Sequence, residues 1–171
     1  MGSLKDAKLL GGIGAILSLF IPIVGVILVL IAVKYISDVT NDRSIFNNML
    51  IAIILVAIGS LAAYLFILPS LFVFISNPFA VLTYLIVALI IGFITLVIGA
   101  IFLKKSFDRI AELVNVNHFK TAALLFLIGA ILIIVLVGAF IILVAEIFMI
   151  VAFFSLPEEL PKKVEAPPPL T

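Results

Sequence analysis

Apolar residues fall in four long runs, Leu9–Val33, Met49–Leu68, Phe79–Leu103 and Thr121–Ser155, with short polar stretches between them. Each run reaches the roughly 20 residues that a helix needs to cross a ~30 Å hydrocarbon layer. The pattern predicts an all-α, polytopic membrane protein: one helical domain over residues 1–156 and a proline-rich, disordered tail over 157–171. Within the first run, Ile21-Pro22 interrupts the hydrogen-bond ladder, because proline has no N–H and crowds the preceding turn. A kink is expected there, or a re-entrant bend. The second helix is expected to start near Ser44, capped by Asn41 or Asp42, and to stop near Pro69. Ser76-Asn77-Pro78 is a turn signal before the third helix.

The stretch between the last two runs has a helical period. Phe107, Ile110, Ala111 and Val114 share one face, and the charged residues lie mainly elsewhere. Lys104–Asp108 and Arg109–Glu112 are spaced for ion pairs along a helix. This predicts a short amphipathic helix over about 105–115, lying on the membrane surface or extending helix three against the bundle. The fourth run is too long for a straight span and must tilt, protrude or bend, with Gly138-Ala139 the natural place.

Composition sharpens the picture. Hydrophobic residues make up 66% of the 171-residue chain and charged residues 11%. Soluble domains carry about 25% charged residues. The net charge of +1 gives no case for nucleic-acid binding. Cysteine is absent, which excludes disulfides, thiolate chemistry and cysteine metal sites.

Charge also bears on topology. In a four-span arrangement, loops 34–48 and 104–120 share a side and carry six basic residues. The termini and the second connection carry four. The positive-inside rule then places both loops in the cytoplasm and both termini outside, in a multi-pass protein of the cell membrane. In the alternative arrangement the first and last runs dip in and return, at Pro22 and near Gly138. Every Lys and Arg is then cytoplasmic. Against it stands the backbone, since a bend in lipid leaves polar groups unpaired unless protein covers them. No polar residue marks Gly138 as a turn. Four spans are the expected arrangement.

Lys5–Leu17 reads KDAKLLGGIGAIL and Lys120–Leu132 reads KTAALLFLIGAIL, identical at nine of thirteen positions. Each run carries small residues where helix backbones can approach closely. Gly14, Gly59, Gly92, Gly99 and Gly129 are the expected packing points, and Pro22 and Pro69 the expected helix breaks.

Candidate chemistry is sparse. Glu146 is the one charged side chain inside an apolar run. Intramembrane carboxylates are costly and often mark ion pathways or partner contacts. If the fourth span ends near Leu143, however, Glu146 sits at headgroup level. Asp38, Thr40 and Asp42 imitate the opening of a calcium loop, but Arg43 and Met49 replace its glycine and glutamate. His118, the one histidine, has no nearby ligand set. No hydrolase, phosphate-loop or metalloprotease motif is present. The expectation is a non-enzyme with no catalytic residues, no cofactor and no metal.

The stretches Leu30–Asn48 and Leu103–Leu132 resemble the domain of unknown function 996 family, small and mainly archaeal membrane proteins with four hydrophobic segments. The signatures are KLLGGIG (Lys8–Gly14), VKYISD (Val33–Asp38), DRSIFNN (Asp42–Asn48) and FFSLP (Phe153–Pro157), and the resemblance covers roughly Leu4 to Leu156. It implies an archaeal cell membrane and supplies no substrate, cofactor or catalytic residue.

Three functions fit. The first is a scaffold, assembly factor or accessory subunit acting through helix packing. Its partners would be the lipid bilayer and either a second copy or other membrane subunits. The second is a small channel or transporter, in which Ser18, Ser60, Tyr64, Thr83 and Thr95 converge with Glu146 on a wet cavity. The third is a bilayer-shaping protein, which requires the hairpin arrangement.

Overall fold

The computed structural model describes residues 3–74 and 77–161. Among these residues the chain is all helix: α1 (Leu4–Ser18), α2 (Pro22–Thr40), α3 (Arg43–Val73), α4 (Pro78–Val114), α5 (His118–Ile131), a 3-10 turn (Leu132–Val135) and α6 (Val137–Phe154). Five segments are long and apolar enough to cross a membrane: Pro22–Thr40, Arg43–Val73, Phe79–Val114, His118–Val135 and Val137–Phe154. The count of four with a separate surface helix is therefore corrected. The fold fits a multi-pass membrane protein.

The difference arises because the first and last apolar runs each double back. The first reverses at Leu19–Ile21, and Pro22 opens α2 at a position where its missing N–H costs nothing. The second reverses after the 3-10 turn through Leu136, at φ 61°. That left-handed conformation costs a residue with a Cβ roughly 1–2 kcal/mol. Each reversal gives an antiparallel helical hairpin, and the repeated word serves both. A Cβ on Gly14 would lie 2.9 Å from the backbone nitrogen of Val29, and one on Gly129 would lie 3.0 Å from the carbonyl oxygen of Gly138. Equivalent glycines thus let each rising helix touch its returning partner.

Other ends follow the sequence. Asp42 caps α3, its carboxylate accepting from the Ser44 amide at 3.0 Å and the Ser44 hydroxyl at 2.6 Å. Asn77 caps α4. Asn41 and Asn115 end α2 and α4 in the left-handed region that asparagine tolerates. Two expectations fail. Pro69 lies inside α3, which runs on to Val73. Away from water a helix has few other partners for its backbone, and it continues through one missing bond. Residues 105–115 do not form a separate surface helix, because α4 is unbroken to Val114. Its apolar face was read correctly but packs inward, with Phe107, Ile110, Ala111 and Val114 all buried.

Each helix packs on the next in chain order, and α6 packs back on α1. Six helices of alternating direction therefore form a closed ring. Lys8 Nζ donates to the Leu156 carbonyl at 3.2 Å and closes it. Both described chain ends, the α2–α3 turn and the α4–α5 turn lie at one end, here the base. The four-span arrangement, with termini opposite these turns, is not the one observed. Phe107, Phe119 and Phe153 fill the base edge-to-face, with ring centroids 5.1–6.4 Å apart. Ser106 Oγ donates to the Ile45 carbonyl across the same core at 2.8 Å. The ion pairs sit here too: Lys104–Asp108, Arg109–Glu112 and an unforeseen Arg109–Asp42 pair at 2.6 Å. At about 46 and 55 Å, α3 and α4 continue past the tips of the hairpins, whose helices run about 21–28 Å. Beyond the ring they form a bare pair, with Phe72 and Phe79 more than four-fifths exposed.

Candidate functional site

Above the aromatic core the ring lines a half-open cavity of about 590 Å³, to which all six helices contribute. Val29, Met49, Leu103 and Met149 lie toward the base, and Pro22, Ile23, Ser60 and Ile142 lie toward the hairpin tips. The cavity exists because small residues face inward where larger ones would fill the space. Ala52, Ala57, Gly99, Ala100 and Ala130 are all in its wall.

Glu146 is the one charged residue in that wall. It sits about 13 Å along α6 from the helix start. Helix α6 continues to Phe154, so Glu146 lies within its helix and not at its end. Its Oε2 accepts from Ser18 Oγ at 2.9 Å. Ser18 reaches it because the first hairpin is the shorter one. Residue 18 is at the tip of that hairpin, level with the middle of α6. The same Ser18 oxygen lies 2.7 Å from the Ala15 carbonyl. One hydroxyl proton therefore faces two acceptors. Among the described residues no Lys, Arg or His pairs with Glu146.

Of the polar residues expected to converge, Ser18 and Ser60 do so. Ser60 lines the wall while its hydroxyl donates to the Val56 carbonyl at 2.8 Å. Thr95 donates within its own helix and packs against Gly59 of α3. Tyr64 and Thr83 are exposed on the outer surface. Gly99 packs against Ala52 and Val56 of α3, but a Cβ on Gly92 would meet nothing within 4 Å. Gly92 is therefore not a packing point within the chain. Gly25 and Gly138, the returning partners of Gly14 and Gly129, were not among the expected packing points, although Gly138 was expected as a bend. Their signal was a second glycine about ten residues after the shared glycine of each repeated word, Gly25 after Gly14 and Gly138 after Gly129. His118 opens α5 beside the Phe148 ring, 6.3 Å between centroids. No group of His, Cys, Asp or Glu among the described residues could hold a metal ion.

Outside the apolar segments, the Asp42 carboxyl is held below its usual range. The Ser44 hydroxyl bond is the largest cause and the Arg109 guanidinium the next. Asp6 is lowered through its reciprocal hydrogen bonds with Ser3 at the start of α1.

The family described as "Protein of unknown function (DUF996)" matches residues 21–147. That span contains every residue of the cavity wall except Ser18 and Met149. An uncharacterized protein of Methanocaldococcus jannaschii is 38% identical, over 92% of this chain and 95% of its own length. No solved structure matches.

Proposed function

The chain belongs to the DUF996 family, and we propose that it is a non-enzymatic membrane protein whose ring binds a lipophilic molecule carrying a cationic or hydrogen-bond-donating head. The observation that carries this reading is a lone carboxyl in an apolar cavity with no basic partner among the described residues. Ligand sites are typically 300–1,000 Å³, mostly apolar, with a few placed polar groups. A carboxylate held out of water is costly unless something pairs with it. A ligand ammonium would supply the missing charge, and its alkyl body would fill the space between Met49, Leu103 and Phe126. The side chains around the hairpin tips are apolar, so such a ligand would come from the hydrocarbon and not from water.

This reading is preferred to a packing scaffold because Gly14, Gly59, Gly99 and Gly129 meet partners within the chain. It is preferred to an ion path because only two serines accompany Glu146. The test is binding by the detergent-purified protein of a long-chain alkylamine, compared with the alkyl carboxylate of equal length. The amine should bind at least tenfold more tightly, and Glu146→Gln should remove that preference. Equal binding of acid and amine, or an unchanged preference in Glu146→Gln, would count against the site.

A further inference from the structure

We infer that only α3 and α4 cross the membrane, that both hairpins end within the hydrocarbon, and that the protein therefore wedges open one half of the bilayer. This stands on helix lengths, turn chemistry and charge placement, and is independent of what the cavity binds.

Length comes first. The apolar parts of α3 (from Met49) and α4 (to Leu103) each run about 37 Å, enough to cross a ~30 Å core with some tilt. The apolar part of the first hairpin, from Leu9 up and back down to Val33, reaches only about 15–18 Å. The second reaches about 22–27 Å. Measured from the shared polar base, the first hairpin stops well short of a ~30 Å core and the second a few ångströms short of it.

The turns agree. A reversal in water draws Gly, Asn, Asp or Ser, whereas these tips are built from Leu19, Phe20 and Ile21, and from Val135, Leu136 and Val137. They are not hidden within the chain: Phe20 is 77% exposed and Leu136 75%. The backbone objection to a bend in lipid is met in part by local bonds. Phe20 and Ile21 donate their amides to the Leu17 carbonyl at 3.0 and 2.6 Å. Leu136 donates to Ile133, and Ala139 to Leu136, both at 3.1 Å. Amides paired at an apolar tip suit a solvent that offers no hydrogen bonds.

Charge fixes the direction. Every described basic residue lies toward the base, and the far connection, residues 69–78, carries no charge. The base is then cytoplasmic. Near it the membrane must accommodate six helices, and past the tips only two. A body wider in one half of a bilayer bends the membrane convex on that side. The occupant of the exposed tips is thus acyl chain, and a second protein copy is the competing outcome.

The cysteine-free chain suits a labelling test. Single variants Asn77→Cys, Asn115→Cys, Phe20→Cys and Leu136→Cys are treated with a membrane-impermeant maleimide from each face. Phe140→Cys serves as a second probe beside the strained Leu136. Asn77 and Asn115 should react from opposite faces and the tips from neither. A fluorophore placed on the tips before reconstitution should be quenched several-fold more by lipids brominated deep in their chains than by lipids brominated near the headgroup. Reconstituted protein should also be several-fold denser on small vesicles than on large ones. Tip labelling from the Asn77 face would make the hairpins full spans and overturn the inference. Tips that escape lipid quenching but cross-link between copies would also overturn it. Equal density on both vesicle sizes would overturn the wedge.

Discussion

Phe107 and Phe72 lie on the two long neighbouring helices and have the same side chain, yet their surroundings differ completely. Phe107 is fully enclosed by the aromatic core of the ring, while Phe72 is 83% exposed on the bare far pair. The contrast holds for the two ends as wholes. At the base, six helices meet around aromatic rings, a buried serine and several ion pairs. At the far end, two helices share one seam, where Phe66 and Tyr84 lie 6.4 Å apart between ring centroids. What the molecule holds together by itself is thus concentrated at one end, and the other relies on its solvent.

The sharpest way to break this contrast is to truncate both phenylalanines. Phe107→Ala should cost about 3–5 kcal/mol of unfolding free energy, and Phe72→Ala less than about 0.5 kcal/mol. Equilibrium unfolding in lipid bicelles would measure both, and similar losses would show that the base holds no special share of the stability. Next come the glycines. Gly14→Leu and Gly129→Leu each overfill a hairpin and should cost about 1–3 kcal/mol, equally within error if the repeated word does the same work twice. Gly92→Leu, facing open space, should be nearly neutral by the same assay.

The smallest effect concerns the base clasp. Asp42→Ala removes a cap worth about 1 kcal/mol and a solvent-screened ion pair to the half-exposed Arg109. Because the folded Asp42 carboxyl is held low, its contribution is complete above the unfolded value near pH ~3.9. It is lost as pH falls through the lower folded value. The stability difference between wild type and Asp42→Ala should therefore shrink in acid, as a pH series of unfolding curves would show. A difference that grew on acidification would reverse the assignment.

The sequence reported depth in oil well and direction poorly. The apolar runs, the Asp42 cap, the turn before the helix at Pro78, the Lys104–Asp108 and Arg109–Glu112 pairs and the shared face of Phe107 through Val114 all follow from local spacing. The reversals were placed, at Pro22 and near Gly138, but four straight spans were preferred, because a turn outside water needs no polar residue and Leu136 carries no mark of its left-handed backbone. The Glu146 site was half legible. The misplaced charge stood out and Ser18 was among the five polar residues expected beside it, but nothing local separated Ser18, 128 residues away, from Tyr64 and Thr83, which face outward. Pro69 misled for a related reason, since rules for proline drawn from water overstate its power to stop a helix in an apolar environment.

The seam between Lys8 and Leu156 dictates an order of events during synthesis. The first helix of the ring takes its final neighbour from the sixth, so the first hairpin must wait, one flank uncovered, until α6 has been produced. Anything that traps that waiting flank would stall maturation without touching a single finished contact.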